Sequence, residues 1–125
     1  MSLAAAANNL SLIFSKQLEI YRRLTKLISS ISADIARTKG NMSGLSAKFE
    51  QENDLIEEIE KLKEEAAPDI LIWQENKRGA NDEEIKKELD GVLEAVQEEI
   101  VRFLNADKML KKQIDFYREK DAVHQ

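Results

Sequence analysis

The sequence predicts an all-α fold, an antiparallel coiled-coil-like bundle of three long helices in a single domain, residues 1–125. Three observations support this fold class. The chain contains one proline and four glycines, too few breaks for the many turns of a β or α/β fold. Apolar residues recur at spacings of three and four over three long segments. The charged fraction of 34% is high, as expected for helices that bury one stripe and expose the rest.

The first helix is predicted over residues 9–37, with Asn9 or Ser11 as its N-cap. Its two adjacent apolar rows make a stripe wider than the seam of a two-stranded coiled coil, so this helix should contact more than one neighbour. The chain then breaks, because Gly40 can adopt the left-handed C′ conformation and Asn41 can cap a second helix. So short a connection predicts that the first two helices are antiparallel neighbours.

The second helix is predicted over residues 42–67, and Pro68 should end or kink it there because proline disfavours the helical conformation of the residue before it. A linker is expected over residues 68–81. Within it, the apolar run Ile70–Trp73 is compatible with a helical turn or with an extended segment. Trp73 either plugs the open end of the bundle or lies exposed as a contact residue for a partner.

The third helix is predicted over residues 82–119 and begins with a capping-box-like pair, Asn81 and Glu84. At nearly forty residues it would be ~55 Å long and should overhang the other two helices. Asp107 interrupts its buried stripe, and apolar residues continue beyond that point. This apolar surface either packs on the first helix or stays open as a groove for a helix of another protein.

Composition and motifs argue against several classes of function. The formal net charge of −5 argues against nucleic-acid binding, and no apolar run is long enough for membrane insertion. The N-terminus has no secretory-signal pattern and the chain has no cysteine, so we expect a cytoplasmic protein. His124, the single histidine, has no second ligand for a metal, and no phosphate loop or nucleophile motif occurs. We therefore expect no catalytic, cofactor-binding or metal-binding residues and no enzymatic activity.

Four segments share a pattern with a known protein family. They are the Leu-Glu-Ile-Tyr-Arg-Arg-Leu run of residues 18–24, the break Gly40-Asn41-Met42, the Leu- and Glu-rich residues 53–62, and residues 105–116, which end on a Phe. In this order they resemble the FlgN family of flagellar export chaperones. That family usually has an acidic residue after the glycine of the break, and Asn41 keeps the capping chemistry at that position.

The resemblance implies a cytosolic chaperone that binds the C-terminal amphipathic helices of hook–filament junction proteins and prevents their premature assembly before type III flagellar export. Its client-binding residues would lie in the last helix: Leu104, Met109, Leu110, Ile114, Phe116 and Tyr117. A Leu110→Asp substitution is then expected to remove client binding and to leave the helical content unchanged. The alternative is a structural coiled-coil subunit, which pairs the same apolar surface with an identical chain or completes a larger complex.

Overall fold

A computed structural model describes residues 2–76 and 83–123, with side chains through Lys120. Within these ranges the chain forms three helices, α1 (Leu3–Arg37), α2 (Ser46–Asn76) and α3 (Glu83–Val123), and no strand. The prediction of an all-α bundle is confirmed, and α3 is continuous. The expected cap Asn81 and the single histidine His124 lie outside the described residues.

Helix α1 begins earlier than predicted, at Leu3. Its N-cap is Ser2, whose side-chain oxygen accepts a hydrogen bond from the Ala5 N–H at 3.1 Å. The first turns are rich in alanine, which has the highest helix propensity, and the two alanines after Ala5 are almost fully buried. Asn9 and Ser11 are therefore interior positions of the helix and not caps.

Helix α1 ends in a Schellman motif that differs in detail from the expected C-cap. The Gly40 N–H donates to the Ile35 carbonyl at 2.9 Å, and the Lys39 N–H donates to the Ala36 carbonyl at 3.3 Å. Lys39, with φ 55°, therefore occupies the C′ position that the sequence suggested for Gly40, and Gly40 follows with φ 95°. Two consecutive residues with positive φ turn the chain away from α1.

Helix α2 begins later than predicted, at Ser46. Asn41 does not cap it, because its Oδ1 accepts a hydrogen bond from the Ser43 N–H at 3.0 Å and so forms a separate turn. Gly44 disfavours a helix at this point. Leu45, which precedes the helix, is buried in the core, so the loop is held against the bundle by an apolar side chain.

Helix α2 continues through Pro68 to Asn76, so the prediction that a linker replaces it is wrong for residues 68–76, and residues 77–81 of that linker lie outside the described residues. Proline has no N–H to donate, which leaves the Glu64 carbonyl without its helical partner. Both residues are exposed, so water can satisfy that carbonyl. Ile70 and Trp73 pack against the core from the other side of the helix. We attribute the helical conformation here to this packing, and Trp73 lies half-buried at the end of the bundle.

Helix α1 is the central helix, since α2 and α3 each pack along it and scarcely approach each other. A salt bridge joins the first turn of α2 to the last turn of α1, so these two helices are antiparallel, as predicted. Tyr21 and Phe103 pack with ring centroids 6.0 Å apart, and Ser32 contacts Gln113 further along both helices. Helix α3 is therefore parallel to α1, which gives an up-down-up bundle.

The core consists of two clusters that follow each other along α1. The first surrounds the N-terminal half of α1 and is built on Leu10, Phe14, Tyr21, Leu24, Ile59, Leu89 and Val96. The second lies near the α1–α2 turn and is built on Ile28, Ile31, Ile35, Leu45 and Leu110. Helix α1 provides most of these residues because it has a neighbour on each side, as its wide apolar stripe predicted.

The predicted overhang of α3 is wrong for most of its length. Tyr117 packs against the turn that follows α1, and a Cβ atom placed on Gly40 would lie 2.6 Å from the Tyr117 ring. Helix α1 and the turn after it thus accompany α3 as far as Tyr117. Only the residues after it extend past the α1–α2 turn.

Candidate functional site

Three of the six candidate residues lie on the inner side of α3. Leu110 is 3% exposed and belongs to the second core cluster, and Ile114 and Tyr117 pack against the same cluster. Spacings of four and three residues place these side chains on one side of the helix. The expectation that Leu110→Asp would leave the fold intact disagrees with this geometry, because a carboxylate buried among apolar groups would lose its hydration and find no partner.

Two hydrogen bonds fix the rotation of α3 about its own axis. Ser32 Oγ donates to Gln113 Oε1 at 2.7 Å, and Gln113 Nε2 donates to the Ser32 backbone carbonyl at 3.0 Å. This reciprocal pair ties one turn of α1 to one turn of α3 at the border of the core. A rotation of α3 that buried its outer side chains would break both bonds and would expose Leu110.

The other three candidates lie on the outer side of the same helix. Leu104, Met109 and Phe116 are 55%, 66% and 60% exposed, and Val101, which is not among the six candidates, is 57% exposed. These four residues are called the outer face. The sequence alone could have indicated Val101, because this residue falls outside the buried stripe and precedes Leu104 by one helical turn. Within the described residues α1 exposes a single large aliphatic residue, Leu12, so the outer face is the densest such group.

Basic side chains lie between the apolar residues of the outer face. Lys112 is one turn from both Met109 and Phe116, and Lys108 is one turn further towards the N-terminus. Both lysines are exposed, and neither forms an ion pair with any residue whose side chain is described. Residues 101–120 contain six basic and three acidic residues, a net charge of +3 in a chain of net charge −5.

A polar cluster lies between α2 and α3, beside the outer face. Asp107, the polar residue that interrupts the buried stripe, pairs with Lys111 at 2.8 Å. Burial raises the pKa of Glu52 on α2; the Asp107 carboxylate adds to this increase and the Lys111 ammonium opposes it. Glu52 and Asp107, which the sequence shows only as separate polar positions, therefore face each other.

Comparison with known proteins gives no relative: no family model, no curated protein and no solved structure matches the chain. Within the described residues, none of the helices is both long and apolar enough to span a bilayer. Over the same residues, no three His, Cys, Asp or Glu side chains are grouped so as to hold a metal ion. Among the described residues, the outer face and its lysines form the candidate site.

Proposed function

We propose that this chain is a non-catalytic binding protein that offers the outer face of α3 to an amphipathic helix of another protein. The observation that carries the proposal is the division of α3 into two sides. The inner side chains are fixed in the core, and Leu110 is almost fully buried. Four apolar side chains on the outer side are each more than half exposed, so this side of the helix has apolar surface that a partner could cover.

A second helix would cover the outer face by ordinary helix-on-helix packing. Val101 and Phe116 are ~22 Å apart along the axis, so a partner of about four turns would reach both. Met109 is unbranched and can adapt to different partner side chains. Phe116 is better suited as a rigid anchor, because its ring packs edge-on against Tyr117 with centroids 5.2 Å apart. Each of these side chains would contribute ~1.5–3 kcal/mol if fully buried, before the entropy lost on association is subtracted.

More specifically, we propose an export chaperone resembling the FlgN family and acting in the cytoplasm. Its clients would be the C-terminal amphipathic helices of hook–filament junction proteins. Support for this comes from residues 105–116, which resemble the last amphipathic segment of the family and overlap the outer face. By covering the apolar stripe of a client helix, the chain would prevent premature assembly before type III export.

Calorimetric titration with C-terminal fragments of hook–filament junction proteins tests this proposal. We expect saturable binding near one-to-one, weakened at least ~30-fold in a Met109→Asp/Phe116→Asp variant, because two apolar contacts are replaced by solvated charges. The matched control is Leu12→Asp/Leu71→Asp, which changes two equally exposed apolar residues on α1 and α2 and should bind like the wild type. Absence of binding by the folded wild-type protein, or equal loss in both variants, would contradict the proposal.

The alternative function is a structural subunit that self-associates, and the same exposed apolar residues favour it. Such a subunit would bury the outer face between identical chains and would remain a multimer when a client fragment is added. A chaperone would instead exchange any self-contact for the client. Sedimentation velocity over a range of protein concentrations, with and without fragment, separates the two functions.

A further inference from the structure

We infer that the helix recognised by the outer face carries acidic residues along the border of its apolar stripe, a conclusion that rests on the proposed function and specifies the chemistry of the partner. The lysines of the outer face carry this inference. Lys111 already has a carboxylate partner in Asp107 at 2.8 Å. Lys108 and Lys112 lie on either side of it in sequence and form no ion pair with the residues whose side chains are described.

Any helix that packs on the apolar residues must also come close to these two ammonium groups. Lys112 is one turn from Met109 and one turn from Phe116, so a partner helix that covers both would remove water from Lys112 as well. An ammonium group that loses water without gaining an anion is unfavourable. Carboxylates at the edge of the partner's stripe would compensate for this loss, which makes acidic borders the complementary chemistry.

A second copy of the chain does not supply this chemistry. Two outer faces related by a two-fold axis would bring the lysines of one copy, Lys108 and Lys112, close to those of the other. Helix α2 is strongly acidic, with ten acidic and three basic residues between Ser46 and Asn76. Its apolar stripe, however, packs against α1, and the large apolar residues that it exposes are Ile56 and Leu71. A separate acidic amphipathic helix fits the outer face better than either side of another copy.

A membrane surface fits less well than a helix. A helix that lies in a membrane surface has one continuous apolar face and carries its lysines on the opposite, polar face. On α3, Lys108 and Lys112 lie between Leu104 and the pair formed by Met109 and Phe116. Insertion of these apolar residues into a bilayer would carry both ammonium groups towards the hydrocarbon, which is unfavourable for a charged group.

Two designed helical peptides provide the test. Both have about five turns and the same apolar stripe of leucines, but one has Glu and the other has Lys at the stripe's borders. Fluorescence anisotropy with the full-length protein should show at least ~10-fold tighter binding of the Glu-bordered peptide at low salt, with the preference shrinking in ~1 M salt as charges are screened. The net charge of the chain, −5, would produce the opposite preference if long-range attraction alone decided binding.

A charge-reversal variant shows whether the two lysines are responsible. Lys108→Glu/Lys112→Glu should lose the preference or invert it. The matched control, Lys61→Glu/Lys63→Glu, changes the net charge equally at two exposed lysines of α2 and should keep it. Equal binding of both peptides, each weakened by Met109→Asp, would overturn the acidic-border inference and leave the proposed function standing. Binding of neither peptide, nor of the natural fragments, would overturn both.

Two further outcomes would assign the outer face to a different occupant. One is binding to vesicles containing anionic lipid that is lost in Lys108→Glu/Lys112→Glu, with no binding of either peptide. The other is self-association that is abolished by Met109→Asp and is not displaced by the Glu-bordered peptide. Either result would overturn the inference that a separate acidic helix binds there.

Discussion

The apolar residues on the inner and outer sides of the C-terminal half of α3 are similar in type, but their environments differ greatly. Leu110 and Met109 are adjacent in sequence and similar in size and hydrophobicity. Leu110 is 3% exposed within the second core cluster, whereas Met109 is 66% exposed. The difference follows from helix geometry, because successive residues are rotated by about 100° around the axis. Whether an apolar residue of α3 stabilises the fold or remains accessible to a partner is therefore decided by its direction relative to α1.

The largest expected effect is the difference in stability between substitutions at Leu110 and at Met109, which are adjacent in sequence but lie on opposite sides of α3. Leu110→Asp should lower the free energy of unfolding by roughly 4 kcal/mol, because it removes a buried side chain and buries an unpaired charge. Met109→Asp should change it by less than about 0.5 kcal/mol, as is usual for exposed positions. Urea denaturation followed by circular dichroism measures both values. Similar losses in the two variants would show that the sides of α3 are not distinct.

An intermediate effect concerns the turn after α1, against which Tyr117 packs. Gly40→Ala should destabilise the protein by about 2 kcal/mol, since Gly40 has φ 95° and an added Cβ would lie 2.6 Å from the Tyr117 ring. Gly91→Ala is the matched control. This glycine lies within exposed α3 surface with open space around its Cβ position, so alanine should stabilise the helix by up to about 1 kcal/mol. Thermal unfolding of both variants should give shifts of opposite sign.

The smallest effect concerns the polar cluster at the border between the two sides. Because the pKa of Glu52 is raised on folding, the folded state holds more protons than the unfolded state between the ordinary pKa of about 4.5 and the raised value. The free energy of unfolding should therefore fall as pH rises through that window. Glu52→Gln should remove this part of the pH dependence and be slightly more stable than the wild type at pH 7.

A second carboxyl group provides an internal contrast for that pH experiment. The hydrogen bond from Lys48 lowers the pKa of Asp34 below its ordinary value of 3.8. Its stabilising contribution is therefore present above the unfolded-state pKa and is lost as pH falls through the lowered value. The Asp34 effect should lie at lower pH and have the opposite slope. Glu52→Gln should leave it unchanged in denaturation curves measured between about pH 2 and pH 7.

The sequence predicts most of the fold because long apolar periodicity and few breaks leave little choice other than a helical bundle. The errors are local and have physical causes. The sequence predicts that α2 ends or kinks at Pro68 and gives way to a linker, but packing of Ile70 and Trp73 maintains the helix as far as Asn76. Asn41 was expected to cap α2, but its side chain forms a separate turn with Ser43 instead. In each case a tertiary contact or a local hydrogen bond overrides the propensity of one residue.

The sequence predicts which residues of α3 are apolar but not which of them are exposed, so only part of the candidate site could be predicted. The sequence indicates that apolar residues continue past Asp107, but it does not show how α3 is rotated against α1. That rotation is fixed by contacts between residues far apart in sequence, such as Ser32 with Gln113 and Gly40 with Tyr117. The six candidate residues form one group in the sequence. In the structure they divide into three on the inner side of α3 and three on its outer side. The lysines were visible in the sequence, but their position between exposed apolar side chains depends on the same rotation.

Methyl NMR of methionine-labelled protein tests the central claim, that the outer face binds a partner helix, most directly. Met109 lies in the outer face, and Met42 packs half-buried against the second core cluster, so the protein contains its own reference. On titration with a hook-junction fragment or the Glu-bordered peptide, we expect the Met109 methyl signal to shift with saturation and the Met42 signal to stay in place. A bound peptide that shifts Met42 and leaves Met109 unchanged would contradict the assignment of the outer face as the binding site.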